Sequence, residues 1–377
     1  MHHTTIHYSN TMTTNEEPIC DKYDKYDKYD KCDKYDKYKN KGLTGLTNLG
    51  NTCFINSCMQ MLSHTYELND FLNKDTYKRK LNNNYDSALL IEWDNLRKLM
   101  WEENCVIKPG KFFQTVQKLA RIKGSLLFTD YSQNDVAEFF IFVIDCFHNA
   151  ISRKVQMSIS GNVETDKDKL AMVCFEMIQS TYSKEYSEVW KMFYGVMVSQ
   201  LVSIQSGDEL SVKPEPYCTL SLPIPDMQNP TLTDCFQLYV QGEVLQGDNA
   251  VLNEKTNQKE DVVKRMLFWS FPQILVIDLK RFRSSNKKNQ TLVHFTLDDL
   301  HLTSFVIGYN KDSYVYELYG ICNHSGGTLG GHYNAFIKNA NGKWYLHDDA
   351  TVIEVADTRH IISPKAYCFF YRKKTAL

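Results

Sequence analysis

The feature that most constrains this chain is a change of hydrophobic period near its middle. Up to about residue 190 the apolar residues recur at helical spacing; beyond it they gather in short runs rich in Val, Ile, Leu, Tyr and Phe. Segments 87–101 and 109–121 read as amphipathic helices. Asp135 to Ala150 reads as a buried helix with Ser132 or Asn134 as its cap. Strand-like runs follow at 196–204, 217–224, 236–245, 273–282, 314–324, 332–339, 343–348 and 366–373, broken by Gly, Asn, Asp and Ser turns. Helices come first and strands after, without βαβ alternation, so the pattern predicts an α+β fold rather than a doubly wound sheet. With 377 residues, 43% hydrophobic and 23% charged, the composition suits a soluble globular protein.

Residues 21–39 repeat Asp, Lys and Tyr with a period of three, interrupted by Cys32. The period matches neither α-helix nor strand, the charges alternate, and no aliphatic residue is present to offset ordering entropy. Residues 1–41 are therefore expected to form a disordered tail whose removal leaves activity intact, with the folded domain at 42–377. The first twenty residues contain no apolar core of a signal peptide. No run approaches the ~18 apolar residues of a membrane span. The formal net charge of -2 gives no general pull toward nucleic acid or an anionic membrane. The 11 cysteines are scattered, and none is separated from another by only two residues. That spacing points to reduced thiols in an intracellular, reducing compartment rather than to zinc or a disulfide framework.

Cys53 follows a loop crowded with Gly45, Asn48, Gly50 and Asn51 and opens a helix-compatible apolar run. A free thiol has a pKa of about 8.5; a helix N-terminus and a nearby imidazolium both lower it. Asn48 stands where its amide can turn toward a developing oxyanion. His332 opens a strand-like run directly after Gly330 and Gly331, which permit close backbone approach. Asp348 comes sixteen residues later, beyond an expected hairpin turn at 339–343, so the hairpin returns it beside His332. A carboxylate on one ring nitrogen fixes the tautomer and leaves the other nitrogen for the thiol. Taken singly, each residue also has an ordinary structural reading: Cys53 as a small core residue, Asn48 as a turn former, Asp348 and Asp349 as a solvated strand end.

Together these segments resemble the ubiquitin-specific protease family. GLTNLGNTCFINS at 45–57 is similar to its cysteine box, and 316–338 with WYLHDDA at 344–350 to its histidine box. QNDVAEFF at 133–140, LSLPI at 220–224 and PQILVIDLKRF at 272–282 match internal signatures in the same order. The resemblance implies a papain-like hand: a helical thumb (about 42–190), β fingers (about 191–265) and a β-rich palm (266–377). It implies Cys53 as nucleophile, His332 as general base, Asp348 as its orienting acid, and Asn48, assisted by Asp349, at the oxyanion. Asp135 would meet the basic C-terminal tail of ubiquitin, and Gly330 and Gly331 would flank the channel for its terminal Gly-Gly. The implied partners are ubiquitin and ubiquitinated proteins, with no nucleic acid or membrane, and a monomer. No redox cofactor or catalytic metal is implied. Many members hold their fingertips with a zinc bound by two Cys pairs. Here Ser203 and Ser206, and Asn253 and Thr256, stand at those positions, so no zinc is expected. A protease for another ubiquitin-like modifier is the nearest alternative; an inactive ubiquitin-binding scaffold is the alternative of another class. Cys58 and His347 are expected in packing roles, His324 in a flexible loop (322–331) gating the cleft, and Lys287–Lys288 at a solvated hairpin tip.

Overall fold

The computed structural model describes residues 35–254, 256–282, 287–327 and 330–374. Eight helices precede or flank the strands among these residues. They are α1 (Cys53–Ser63), α2 (Tyr66–Asn73), α3 (Tyr85–Glu102), α4 (Gly110–Ile122), α5 (Val136–Ile151), α6 (Asp166–Glu185), α7 (Glu188–Phe193) and α8 (Leu232–Val240). A short parallel pair, β1 (Gly45–Leu46) and β2 (Val106–Ile107), ties the loop before Cys53 to the end of α3. The finger strands are β3 (Gly195–Ser203), β4 (Glu209–Tyr217), β6 (Glu243–Leu245) and β9 (Val262–Ser270), with a separate ribbon of β7 (Val251–Asn253) and β8 (Gln258–Glu260). The large sheet is built from β5 (Thr219–Leu222), β10 (Ile274–Leu279), β11 (Asp299–His301), β12 (Val315–Gly327), β13 (Gly330–Lys338), β14 (Trp344–Asp348), β15 (Thr351–Glu354) and β16 (Ala366–Lys373). Its order is β15-β14-β13-β12-β16-β10-β5, with β11 on β12.

α1 is buried along its whole length, so its polar members must find partners inside the protein. Asn56 donates to the Leu46 carbonyl at 3.1 Å, and Gln60 donates to the Thr44 carbonyl at 2.7 Å. These bonds clamp the Cys53 loop to its helix. α1 packs on α5 and on β13. One core joins α1, α3 and α5 to Val276, Ala335, Ile337 and Phe370 on one face of the large sheet; a second core lies on the opposite face beneath α8. β10 is buried at every position, as a strand covered on both faces must be.

The helix expected from Asp135 to Ala150 runs from Val136 to Ile151, and its cap is Asp135 itself, whose carboxylate accepts from the Ala137 and Glu138 amides. The run 236–245, expected as a strand, divides into the end of α8 and β6. A capping box between Thr231 and Asp234 starts α8, and Leu232, Cys235 and Phe236 bury one helical face. Residues 35–41, expected in the tail, are packed. Asp36–Tyr38 form a 3-10 turn and Tyr38 is buried, because Tyr66 and Trp101 offer it an aromatic bed. The expectation for residues 1–34 lies outside the described residues. No helix among the described residues is long and apolar enough to cross a membrane.

Candidate active site

Cys53 is the first residue of α1 and is 3% exposed. Burial pushes its thiol pKa up; the backbone amides of Tyr333, Phe54 and Cys53 pull it down, and the negative charge of Asp349 opposes them. The net rise differs from the sequence expectation: at this helix start desolvation outweighs the favourable amides.

The antiparallel register of β13 and β14 sets Ala335 opposite His347. With a side-chain period of two, Tyr333, Ala335 and His347 turn into the core, while His332, Asn334 and Asp348 share the other face. His332 Nε2 lies 2.6 Å from Asp348 Oδ1, and Asn334 Nδ2 donates to Asp348 Oδ2 at 3.4 Å. Nε2 is thereby committed and Nδ1 remains.

Asp349 sits at φ +50° in the turn after β14. Its Oδ2 accepts from Asn48 Nδ2 at 2.9 Å and its Oδ1 from Asn56 Nδ2 at 2.8 Å. Asn48 Oδ1 accepts from the Gly50 and Thr52 amides at 2.9 and 3.1 Å. The Asn48 amide is thus fixed at both ends, with one N–H left to donate. His332, Asp348 and Asp349 offer ligand atoms within 4.8 Å of one another. The direct bonds of the two carboxylates to an imidazole and three amides make this a hydrogen-bonded relay rather than an open set of metal donors.

A cleft of about 570 Å³ adjoins this group, lined by Asp135, Glu138, Asp278, Phe282, Tyr333 and Tyr367 among others. Asp135 Oδ2 accepts from Tyr367 at 2.6 Å and Tyr333 at 3.4 Å. The Asp278 carboxyl is pushed up to about 6 by burial, with Asp135 adding to the effect and Ser221 opposing it. Gly331 is held from across the cleft by Gln133: its N–H donates to Oε1 at 2.8 Å and its carbonyl accepts from Nε2 at 3.0 Å. A Cβ on Gly331 would meet His324 Nε2 at 2.2 Å, whereas one on Gly330 would meet only Gln133 Oε1 at 3.7 Å.

Sequence reasoning passed over Gln133, Asn56 and Asp278. Gln133 stood inside a recognised segment, but its partner lies 198 residues away. Two lesser expectations change. His324 is buried on β12 against Phe282 and Tyr333, not free in a loop. Lys288 is half-buried, donates to the His324 carbonyl at 2.5 Å, and is pushed down to about 8 by burial. At the fingertips, Asn253 and Thr256 both donate to Glu260 Oε1, at 2.7 and 3.2 Å, while Ser203 Oγ accepts from the Ser206 amide. Bonds from Asn253 and Ser203, in that order, hold the Glu260 carboxyl below its usual range.

A helix that begins at a thiol, packed on a sheet whose hairpin pairs an imidazole with a carboxylate, is the layout of a papain-like fold. The chain belongs to the ubiquitin carboxyl-terminal hydrolase family, whose model matches residues 44–371. It is 34% identical over 337 residues to human ubiquitin carboxyl-terminal hydrolase 2, covering 85% of this chain and 54% of that protein. It is 33% identical to the Drosophila melanogaster protein Usp2, covering 86% of this chain and 34% of that one. The chain thus spans about half the length, or less, of these relatives. Its fold matches the SAGA Ubp8/Sgf11/Sus1/Sgf73 DUB module bound to ubiquitin aldehyde, with a TM-score of 0.69 at 21% identity, covering 90% of this chain and 71% of that one.

Proposed function

We propose that the chain is a thiol-dependent ubiquitin C-terminal hydrolase acting on isopeptide bonds between ubiquitin and lysines, as a monomer. The observation that carries this reading is the His332–Asp348 pair at 2.6 Å, beside the helix that bears Cys53, in a chain of this family. His332 Nδ1 takes the thiol proton as sulfur bonds to the carbonyl carbon. The remaining Asn48 N–H, held in place through Asp349, donates to the oxyanion. As the C–N bond breaks, the imidazolium returns its proton to the lysine amine. Water, deprotonated by the same imidazole, then hydrolyses the thioester and restores the thiol. Asp348 keeps the ring oriented and stabilises its charged form. The acidic, aromatic-walled cleft through Asp135 suits an extended basic tail ending in small residues.

Release of a dye from a ubiquitin C-terminal amide tests this. Wild type is expected to turn over, and D348A to lose about a thousandfold or more in kcat. No turnover by reduced wild-type protein would overturn the assignment.

A further inference from the structure

A face built by α2, the end of α3 and β16 is covered by the chain's own repeat. Tyr38 stacks on Tyr66, with centroids 4.5 Å apart and planes 7° apart, and meets Trp101 edge-on at 5.1 Å. Its hydroxyl donates to Asp70 at 2.6 Å, and Lys37 pairs with the same carboxylate at 2.6 Å. Tyr35 lies 5.0 Å from the Arg372 guanidinium, and its hydroxyl donates to Glu67 at 2.9 Å. Arg372 and Glu67 are themselves paired at 2.7 Å. The docked segment turns as a 3-10 helix, which has 3.0 residues per turn. A three-residue repeat therefore sets successive tyrosines on one face. The period that fits neither α-helix nor strand fits this turn.

The docked tetrapeptide is Tyr35-Asp36-Lys37-Tyr38. The same four residues occur at 23–26 and again at 26–29, whereas Cys32 spoils the windows 29–32 and 32–35. We propose that this face is a receptor for Tyr-Asp-Lys-Tyr and that residues 23–29 of the same chain are its reserve occupants, docking in a shifted register when 35–38 is lost. Every body contact named above is made by a side chain that the upstream copies reproduce. Register 35–38 is preferred because Asn40, absent from the repeat, bonds to Asn339, Asn341 and Asn104. The shift also lengthens the connection to Leu43 about threefold, a closure penalty of roughly fivefold in occupancy. A second molecule's repeat must compete with a tethered copy at millimolar effective concentration, so exchange within one chain wins at micromolar protein. Residues 23–29 lie outside the described residues; their sequence is what bears on the proposal.

Hydrogen exchange of α2, read in full-length chains with α5 as an internal control of folding, tests this. Y35A/Y38A is expected to keep α2 protection within about tenfold of wild type. Y23A/Y26A/Y29A should match wild type, and the variant lacking all five tyrosines should lose the protection. D70N should weaken docking in wild type and Y35A/Y38A alike. The proposal is overturned if Y35A/Y38A is as unprotected as the five-tyrosine variant. It is equally overturned if protection in Y35A/Y38A rises with protein concentration, which would make a second copy the occupant.

Discussion

Replacing Gly331 by alanine should be far more damaging than its size suggests. The added methyl would stand 2.2 Å from His324 Nε2 and 2.5 Å from the Ser325 carbonyl. Ordinary contact begins near 3.4 Å, so the strand must retreat by about an ångström at the residue adjoining His332. His324 cannot yield, because it is 4% exposed and wedged against Phe282 and Tyr333. Overpacking of this kind costs about 1–3 kcal/mol of stability. A displacement of about 1 Å at a reacting group costs about a hundredfold in rate. G331A should therefore lose about a hundredfold in kcat/KM on a ubiquitin C-terminal amide, with a melting temperature lower by a few degrees. G330A is the matched comparison: its methyl meets only Gln133 Oε1, at 3.7 Å, and should cost a few-fold at most. Equal effects of the two substitutions would refute the steric reasoning.

Buried His64 is held down to about 4, chiefly by desolvation, against an ordinary value of 6.5. Below pH 6.5 the unfolded chain gains this proton first. The contribution is therefore full above that value and falls by up to ~3 kcal/mol as pH drops toward 4. Urea midpoints should show that slope, and H64Q should reduce it, the remainder coming from His324, His347 and His148, which burial lowers in the same direction; an unchanged slope would remove His64 as a source. D349N places an amide against one of two amide donors, Asn48 or Asn56, while keeping the left-handed turn that asparagine tolerates. Its kcat should fall about 10- to 100-fold with little change in KM, while the pH at which small alkylating agents react with Cys53 should move down. A rise in KM alone would contradict that role for Asp349. Truncating residues 1–34 should preserve stability, whereas truncating 1–41 removes the Tyr35 and Tyr38 contacts and should cost ~2–3 kcal/mol by thermal melting. Equal melting of the two truncations would show the packed segment to be idle.

Much of the site was legible in the sequence because its geometry is local. A Gly/Asn loop running into an apolar helix placed Cys53 at a helix start, and a hairpin of known length returned Asp348 to His332. What escaped depended on distant partners. Asn48 was read as an oxyanion donor, but its anchoring needs Asp349, 301 residues away. The thiol's environment was misjudged because helix position is readable and burial is not. The 35–41 segment looked unstructured because its binding energy resides in Tyr66, Trp101 and Arg372. The 236–240 segment was misassigned because Phe, Tyr and Val favour strands, and tertiary burial with a capping box overrode that preference.

The central claim is that Cys53 attacks the C-terminal carbonyl of ubiquitin with His332 as its base. Ubiquitin carrying a C-terminal electrophile, incubated with the full chain and followed by peptide mapping, tests it most directly. One adduct on Cys53 is predicted, abolished by C53A and slowed strongly by H332A. An adduct that persists in C53A, or maps to another of the 11 cysteines, would contradict it.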